Sequence, residues 1–217
     1  MIEVLYSDNH IIVVNKSAGI ATQSEEGESV EAHVKLWAKE HYEKKGAVFV
    51  HAAHRLDKPV SGIVVLAKTS KALSRLQESF RSKDVQKTYI AWVEGVLKEE
   101  SALLEDYLLH EEFRSSICSS INPKGKKASL SYKVKKATAR ASLVEIDLHT
   151  GRYHQIRLQF SHRGHPIVND LKYGGSQVAG VESIALQHAK VTFPHPISKE
   201  KLVFEAPFPS KWDSLIK

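Results

Sequence analysis

A chain of 217 residues, 42% apolar and 26% charged, holds enough material for one sizeable buried core. Lysine and arginine outnumber aspartate and glutamate by 31 to 25, a net charge of +6 that fits a protein meeting a polyanion and equally fits a solvated basic surface. A single cysteine, Cys118, excludes an internal disulfide framework and points to a reducing compartment, with the cytoplasm as the expected location. The opening MIEVLYSDNHIIVVNK carries acidic residues and too short an apolar run for a signal peptide or a membrane span.

In chain order, VLY and HIIVVNK are two β-rich runs split by the turn formers Asp8 and Asn9, which predicts a hairpin entering a sheet. Residues 19 to 27 read as a loop. Val30, Val34, Trp37, Ala38 and Tyr42 then recur at helical spacing, with Ser29 as N-cap and Gly46 as the stop. The apolar, β-branched run from Ile63 to Ala67 predicts a buried central strand. A second amphipathic helix follows through Ala72, Leu73, Leu76 and Phe80, with Thr69 and Ser70 as candidate caps, and KTYIAWVEG returns to strand.

The second half reads mostly as strand. Leu130, Tyr132 and Val134 alternate with polar neighbours, as do Ser142, Val144, Ile146 and Leu148, and the two runs are expected to pair. Thr150-Gly151 is a turn, Tyr153 to Phe160 a short helix ended by Gly164 and Pro166, and later strands lie near 184–193 and 202–205. The pattern predicts an α+β protein with a few helices on a predominantly β framework. A single domain over residues 1–217 is the expectation; the Lys124 to Lys127 turn is a candidate hinge, although composition does not change sharply there.

Four features carry chemistry-bearing residues, and each has a plainer reading. His54-Arg55-Leu56-Asp57 places a carboxylate between two cations just ahead of the buried strand, which suits a reactive group on a rooted loop or a surface ion pair. Arg152, His154, Gln155 and Arg157 form a dense donor set for anionic or carbonyl groups, or an exposed polar helix face. Tyr89 is a ring for a base to stack on, or a core tyrosine. Lys124, Lys126, Lys127, Lys133, Lys135 and Lys136 fit a phosphate-contacting surface, or an edge strand guarded against aggregation. Twelve histidines form no HExxH pattern and there is no cysteine pair, so no metal site is expected. Without a GxGxxG or P-loop, no nucleotide cofactor is expected either.

HRLDKPVSGIVVLAK, KTYIAWVEG and TGRYHQIRLQFSHRGHPIVNDLKYGG, in this order, closely resemble the RluA family of pseudouridine synthases. The likeness runs from Tyr6-Ser7-Asp8 to QHAKVTFPHP and nearly spans the chain. It implies a mixed, mainly antiparallel sheet flanked by helices around a central catalytic cleft. It makes Asp57 the catalytic aspartate, acting as nucleophile or base without a cofactor. Arg55 becomes the arginine of the same motif, Tyr89 the active-site tyrosine, Arg157 the arginine near the aspartate, and Leu158 the apolar residue lining the pocket. Val60, Ser17-Ala18-Gly19 and Asn169 depart from the family's usual Thr, Pro-x-Gly and Gly, and none of them is one of those five residues.

The resemblance further implies structured RNA, transfer or ribosomal, as partner, with no S4 RNA-binding domain expected ahead of the catalytic one. No coiled-coil pattern is visible, so a monomer is the simpler expectation. A glycoside hydrolase would require a second carboxylate in a comparable setting, and the motifs offer none. A non-catalytic RNA-binding protein on the same fold is the remaining alternative.

Overall fold

The computed structural model describes residues 2–25, 27–43, 45–82, 84–178 and 183–215. The chain divides into two compact units: residues 1–86 with 188–207, and residues 87–187 with 208–217. The first stretch runs β1 (Ile2–Ser7), β2 (Ile11–Lys16), α1 (Val30–His41), β3 (His51–Ala52), β4 (Ser61–Ala67) and α2 (Ser70–Ser82). The second unit then builds β5 (Gln86–Glu94), β6 (Ser101–His110), β7 (Ser115–Cys118), β8 (Lys126–Ala137), β9 (Ala141–Leu148) and α3 (Gln155–His162). The chain returns to the first unit through β10 (Leu186–Pro194) and β11 (Lys201–Glu205).

In the first unit the strands lie in the order β1-β2-β4-β10, with β3 on β4 and β11 on β10. The predicted hairpin closes at Asp8, whose Oδ1 accepts from the backbone N–H of His10 (2.7 Å) and Ile11 (2.8 Å), an Asx turn that sets the register of β1 on β2. β2 and β4 pair antiparallel from Ile11 opposite Ala67 to Lys16 opposite Gly62. β4 has a neighbour on each side and is buried from Gly62 to Ala67, which explains its unbroken apolar sequence.

Ile11, Val13, Ile63, Val65, Leu76 and Phe193 form much of this unit's core, with α2 supplying Ala72 and Leu76. Ser29 caps α1 as expected, its hydroxyl accepting from the Ala32 N–H at 3.2 Å, and Thr69 does the same for Ala72 at 3.2 Å. α1 stops earlier than Gly46. It ends at His41, and Glu43 enters the left-handed region at φ 49°.

Gly62 is required by close approach. Its φ is +111°, and a Cβ there would lie 2.3 Å from the His188 carbonyl oxygen. The backbones of β4 and β10 therefore meet where no side chain fits.

In the second unit the order is β5-β9-β8-β6-β7, every pairing antiparallel. The expected β8–β9 pair forms with Val134 opposite Val144 and a bulge just beyond it. β6 and β7 have no counterpart among the strands expected from the sequence. The Lys124 to Lys127 turn connects β7 to β8 inside this unit, so the chain does not divide there. The predicted short helix is α3, whose Phe160 packs on Tyr132 at 5.4 Å between ring centroids. Strands paired antiparallel with three α-helices among the described residues make the fold α+β, as expected.

Candidate active site

Two groups of candidate residues take shape, one in each unit. In the first, Arg55 and Asp57 lie on the connection from β3 to β4. Arg55 is exposed, Asp57 is half-buried, and the intervening Leu56 is buried. A loop so close to solvent needs anchors to hold one conformation, and its backbone has three.

The Thr22 hydroxyl donates to the Leu56 carbonyl and accepts from the Leu56 N–H, both at 3.0 Å, so one buried side chain fixes both polar groups of the residue before Asp57. The Lys58 carbonyl, just after Asp57, accepts from the Gly19 N–H at 2.8 Å and from the Lys16 ammonium at 3.1 Å. A turn from the Val60 N–H to the Asp57 carbonyl, 3.0 Å, closes the loop. The aspartate is thus held by backbone restraint on both flanks.

Lys16 is the less expected of these anchors. Alternation along β2 puts it on the face of Ile12 and Val14, and it is fully buried. Its ammonium donates to three carbonyls, those of Ser17 (3.2 Å), Ile20 (2.8 Å) and Lys58 (3.1 Å). Burial pulls its pKa down to about 8, while the negative charge of Asp57 acts to raise it. The buried ammonium thus ties the end of β2 to the loop of Asp57 and lies in the field of that carboxylate.

His54 contributes a further restraint at the start of the loop. Its Nε2 accepts from the Val65 N–H at 3.1 Å, and its ring stacks on Phe80 at 4.6 Å.

In the second unit Tyr89 sits on β5 opposite Ile146 and is 7% exposed. Arg157 and Leu158 are consecutive on α3 and are also buried. The Arg157 fork grips Asp170: Nε to Oδ2 at 2.7 Å and Nη2 to Oδ1 at 2.8 Å, with side-chain exposures of 5% and 1%. Such a bidentate pair fixes the guanidinium plane as well as its charge.

Tyr173 lies beneath this pair, its ring 5.2 Å from the Arg157 guanidinium carbon, and its hydroxyl accepts from the Ser115 N–H at 2.8 Å and lies 2.8 Å from His154 Nδ1. Burial raises the Tyr173 phenol above its ordinary pKa, an effect opposed by the Ser115 N–H and the Arg157 charge. His154 opens α3 in the left-handed region at φ 54°, a conformation uncommon outside glycine. Leu158 packs with Leu108, Ala128 and Tyr173.

Several plain readings of the sequence lose ground to this geometry. His154, Gln155 and Arg157 are buried, so the donor set is no exposed polar face; only Arg152 and Tyr153 reach solvent. Gln155 accepts from Thr150 Oγ1 (2.7 Å) and the Arg152 N–H (3.0 Å) and donates to Gln159 (3.0 Å), bracing the turn before the helix. β8 lies between β9 and β6, so its lysines guard no edge. All six lysines of the basic run are exposed, with Lys127 paired to Glu105 at 2.8 Å and Lys135 to Glu145 at 3.5 Å. Among the described residues no group of three or more His, Cys, Asp or Glu is placed to hold a metal ion, and no helix is long and apolar enough to cross a membrane.

An α+β fold that plants an anchored aspartate ahead of a central strand, and a clamped arginine on a short buried helix, defines a protein built around a few fixed charges. The family model described as RNA pseudouridylate synthase matches residues 10–162. An uncharacterized RNA pseudouridine synthase of Bacillus subtilis is 35% identical over 219 residues, covering 100% of this chain and 72% of that relative. The ribosomal large subunit pseudouridine synthase C of Vibrio cholerae is 35% identical over 210 residues, covering 94% of this chain and 65% of its own length.

This chain therefore spans about two thirds of that Vibrio relative, at 65%. Among solved structures, human RNA pseudouridylate synthase domain containing 4 superposes with a TM-score of 0.83 at 22% identity, covering 98% of this chain and 92% of that one, a likeness of fold. The chain belongs to the RNA pseudouridylate synthase family, of the RluA type, whose members are isomerases acting on RNA.

Proposed function

We propose that this chain converts uridine to pseudouridine in structured RNA, with Asp57 as nucleophile or base and ribosomal RNA of the large subunit as the foremost substrate class, transfer RNA being the second. The observation that carries the reading is the anchoring of Asp57 between Leu56, held by Thr22, and Lys58, held by Lys16 and Gly19. The substrate class is supported by the Vibrio cholerae relative, which is named for the large ribosomal subunit.

The isomerisation breaks the bond from uracil N1 to the sugar C1′, turns the base, and joins C5 to C1′. The proton on C5 leaves to solvent and N1 gains one, so the reaction is redox-neutral and needs no cofactor. An ionised carboxylate supplies the attacking group, adding to the base or acting at the sugar. Arg157 serves as the guanidinium of the active site, Tyr89 stacks on the uracil, Leu158 lines the pocket, and Arg55 fills the space left by the extruded nucleotide. Extrusion costs a few kcal/mol, which contacts between exposed cations and phosphates offset. The protein works as a monomer in the cytoplasm.

The test is tritium release from ribosomal and transfer RNA transcribed with tritium at uridine C5. Wild type is expected to release tritium to water, and Asp57→Asn to release none while binding the RNA with unchanged affinity. Release by Asp57→Asn at the wild-type rate would refute the assignment. Silence from the wild type on both RNAs would favour a non-catalytic RNA-binding protein.

A further inference from the structure

The six lysines of the basic run are exposed, and Lys87 differs from them in being partly covered. It is half-buried at the start of β5, and among the described residues it has no hydrogen bond and no ion pair. Burial lowers the pKa of its ammonium below the ordinary value, and no neighbouring acid opposes that effect. A protein that desolvates a cation without pairing it forgoes stability, and the usual return is an anion supplied from outside.

The surroundings of the ammonium narrow the choice of anion. Lys87 and Tyr89 are two residues apart on one strand, so their side chains share a face about 7 Å apart along it. The Lys87 ammonium lies 3.8 Å from where a Cβ on Gly151 would stand, with nothing else within 4 Å of that point. Gly151 is exposed, and a Cβ there would stand at ordinary van der Waals distance from the ammonium, so the turn brings the Lys87 charge to an exposed stretch of backbone. The next residue, Arg152, is exposed and engages only its Nε, on the Lys127 carbonyl at 3.0 Å, leaving its two terminal amino groups without a hydrogen bond among the described residues. Two available cations thus border one glycine on the Thr150-Gly151-Arg152 turn.

We propose that Lys87 and Arg152, on either side of Gly151, form a phosphodiester-binding subsite that holds the RNA backbone beside the nucleotide whose base meets Tyr89. This rests on the reading of Tyr89 as the base-stacking residue. The ligand is the phosphate of a nucleic acid strand, because a one-nucleotide offset along the strand face suits a continuous backbone. Lys87 fixes register and contributes no base specificity.

The experiment is filter binding of the full chain to large-subunit ribosomal RNA transcribed in vitro, between about 50 and 200 mM salt. Lys87→Met is expected to weaken binding and to flatten the slope of log affinity against log salt by roughly 0.7 to 0.9, the loss of one phosphate contact. Lys87→Arg keeps the slope. The thermal midpoint of Lys87→Met stays level or rises, because the substitution removes a desolvated charge that has no partner among the described residues and keeps the apolar stem.

An unchanged slope in Lys87→Met overturns the subsite, and a lowered midpoint with an unchanged slope makes Lys87 structural. Tritium release from the same RNA separates this inference from the proposed function. A flattened slope without release by the wild type leaves the subsite standing and overturns the synthase assignment on this RNA. Release with an unaltered slope does the reverse, and no measurable RNA binding by the wild type overturns both.

Discussion

The buried pair of Arg157 and Asp170 permits a prediction with a magnitude. Asp170→Asn keeps the shape of the side chain and removes its charge, and one amide N–H₂ must then face guanidinium donors that now meet a carboxylate oxygen at 2.7 and 2.8 Å. With both side chains at 5% exposure or less, water cannot replace the lost acceptor. Removing one partner of such a pair costs about 3–5 kcal/mol, because the remaining charge stays desolvated. Against a total stability of about 5–15 kcal/mol this is a large share. With a urea dependence of about 2 kcal/mol per molar, the midpoint falls by roughly 1.5 to 2.5 M.

Equilibrium unfolding in urea, followed by tryptophan fluorescence, measures the shift. The double variant Arg157→Met with Asp170→Leu is expected to recover much of the loss, since apolar residues of similar volume replace a buried ion pair with little penalty. A loss below about 1 kcal/mol in Asp170→Asn would refute the view that the pair is a desolvated clamp. Activity belongs in the same experiment: the guanidinium released from its fork is expected to lower the rate of tritium release more than thirtyfold, a change of about 2 kcal/mol in the barrier.

Two further predictions concern the anchors of the Asp57 loop. Thr22→Val removes the hydroxyl that serves both polar groups of Leu56, leaving two buried backbone groups unsatisfied at about 1–3 kcal/mol each, and slows isomerisation, whereas Thr22→Ser retains both; equal rates in the two variants would contradict the clamp. Lys16 has a folded-state pKa near 8 against an ordinary 10.5, so between these values the unfolded chain binds more protons and stability rises with pH. The net cost of keeping Lys16 charged, roughly 3 kcal/mol, is fully present below pH 8 and is relieved toward pH 10.5. Lys16→Met is expected to lose this rise when urea midpoints are compared across that range, and parallel pH profiles for the two proteins would count against the assignment.

The parts of the fold that were legible in the sequence are those where burial is complete or strictly periodic. β4 showed itself as an unbroken apolar run because both faces are covered, and β8 and β9 because their faces alternate. β6 did not, for a physical reason: its buried residues are Leu104 and Leu108, four apart, while Leu103 beside them is 57% exposed, a spacing closer to a helix than to a strand. The start of α1 is legible in Ser29, but its end is not, because Glu43 and not a glycine enters the left-handed region there.

The candidate residues Arg55, Asp57, Tyr89, Arg157 and Leu158 come from motif resemblance; residue pattern alone leaves the first four with a plainer reading and does not single out Leu158. Their supports were harder to see. Lys16 carried a readable signal, since alternation with Ile12 and Val14 turns it inward; Thr22 and Asp170 carried none, because their partners lie at the Leu56 backbone and on α3, distances in sequence that no local pattern spans.

The interleaving of the first unit has a consequence for how the protein is made. Residues 1–86 and 188–207 must meet before that unit is whole, so 101 residues, 87 to 187, separate its halves on the ribosome. At about 5–20 residues per second the wait is roughly 5 to 20 s. During it the most apolar strand, β4, lacks its neighbour β10 and presents an edge that β3 covers only at Leu66 and Ala67. Gly62, which lets the backbone of His188 come so close, is then waiting for a strand not yet synthesised. Until β10 emerges, that edge leaves the nascent chain open to misassociation, whereas the loop bearing Asp57, whose anchors all lie within residues 16–65, can close before the second unit is made.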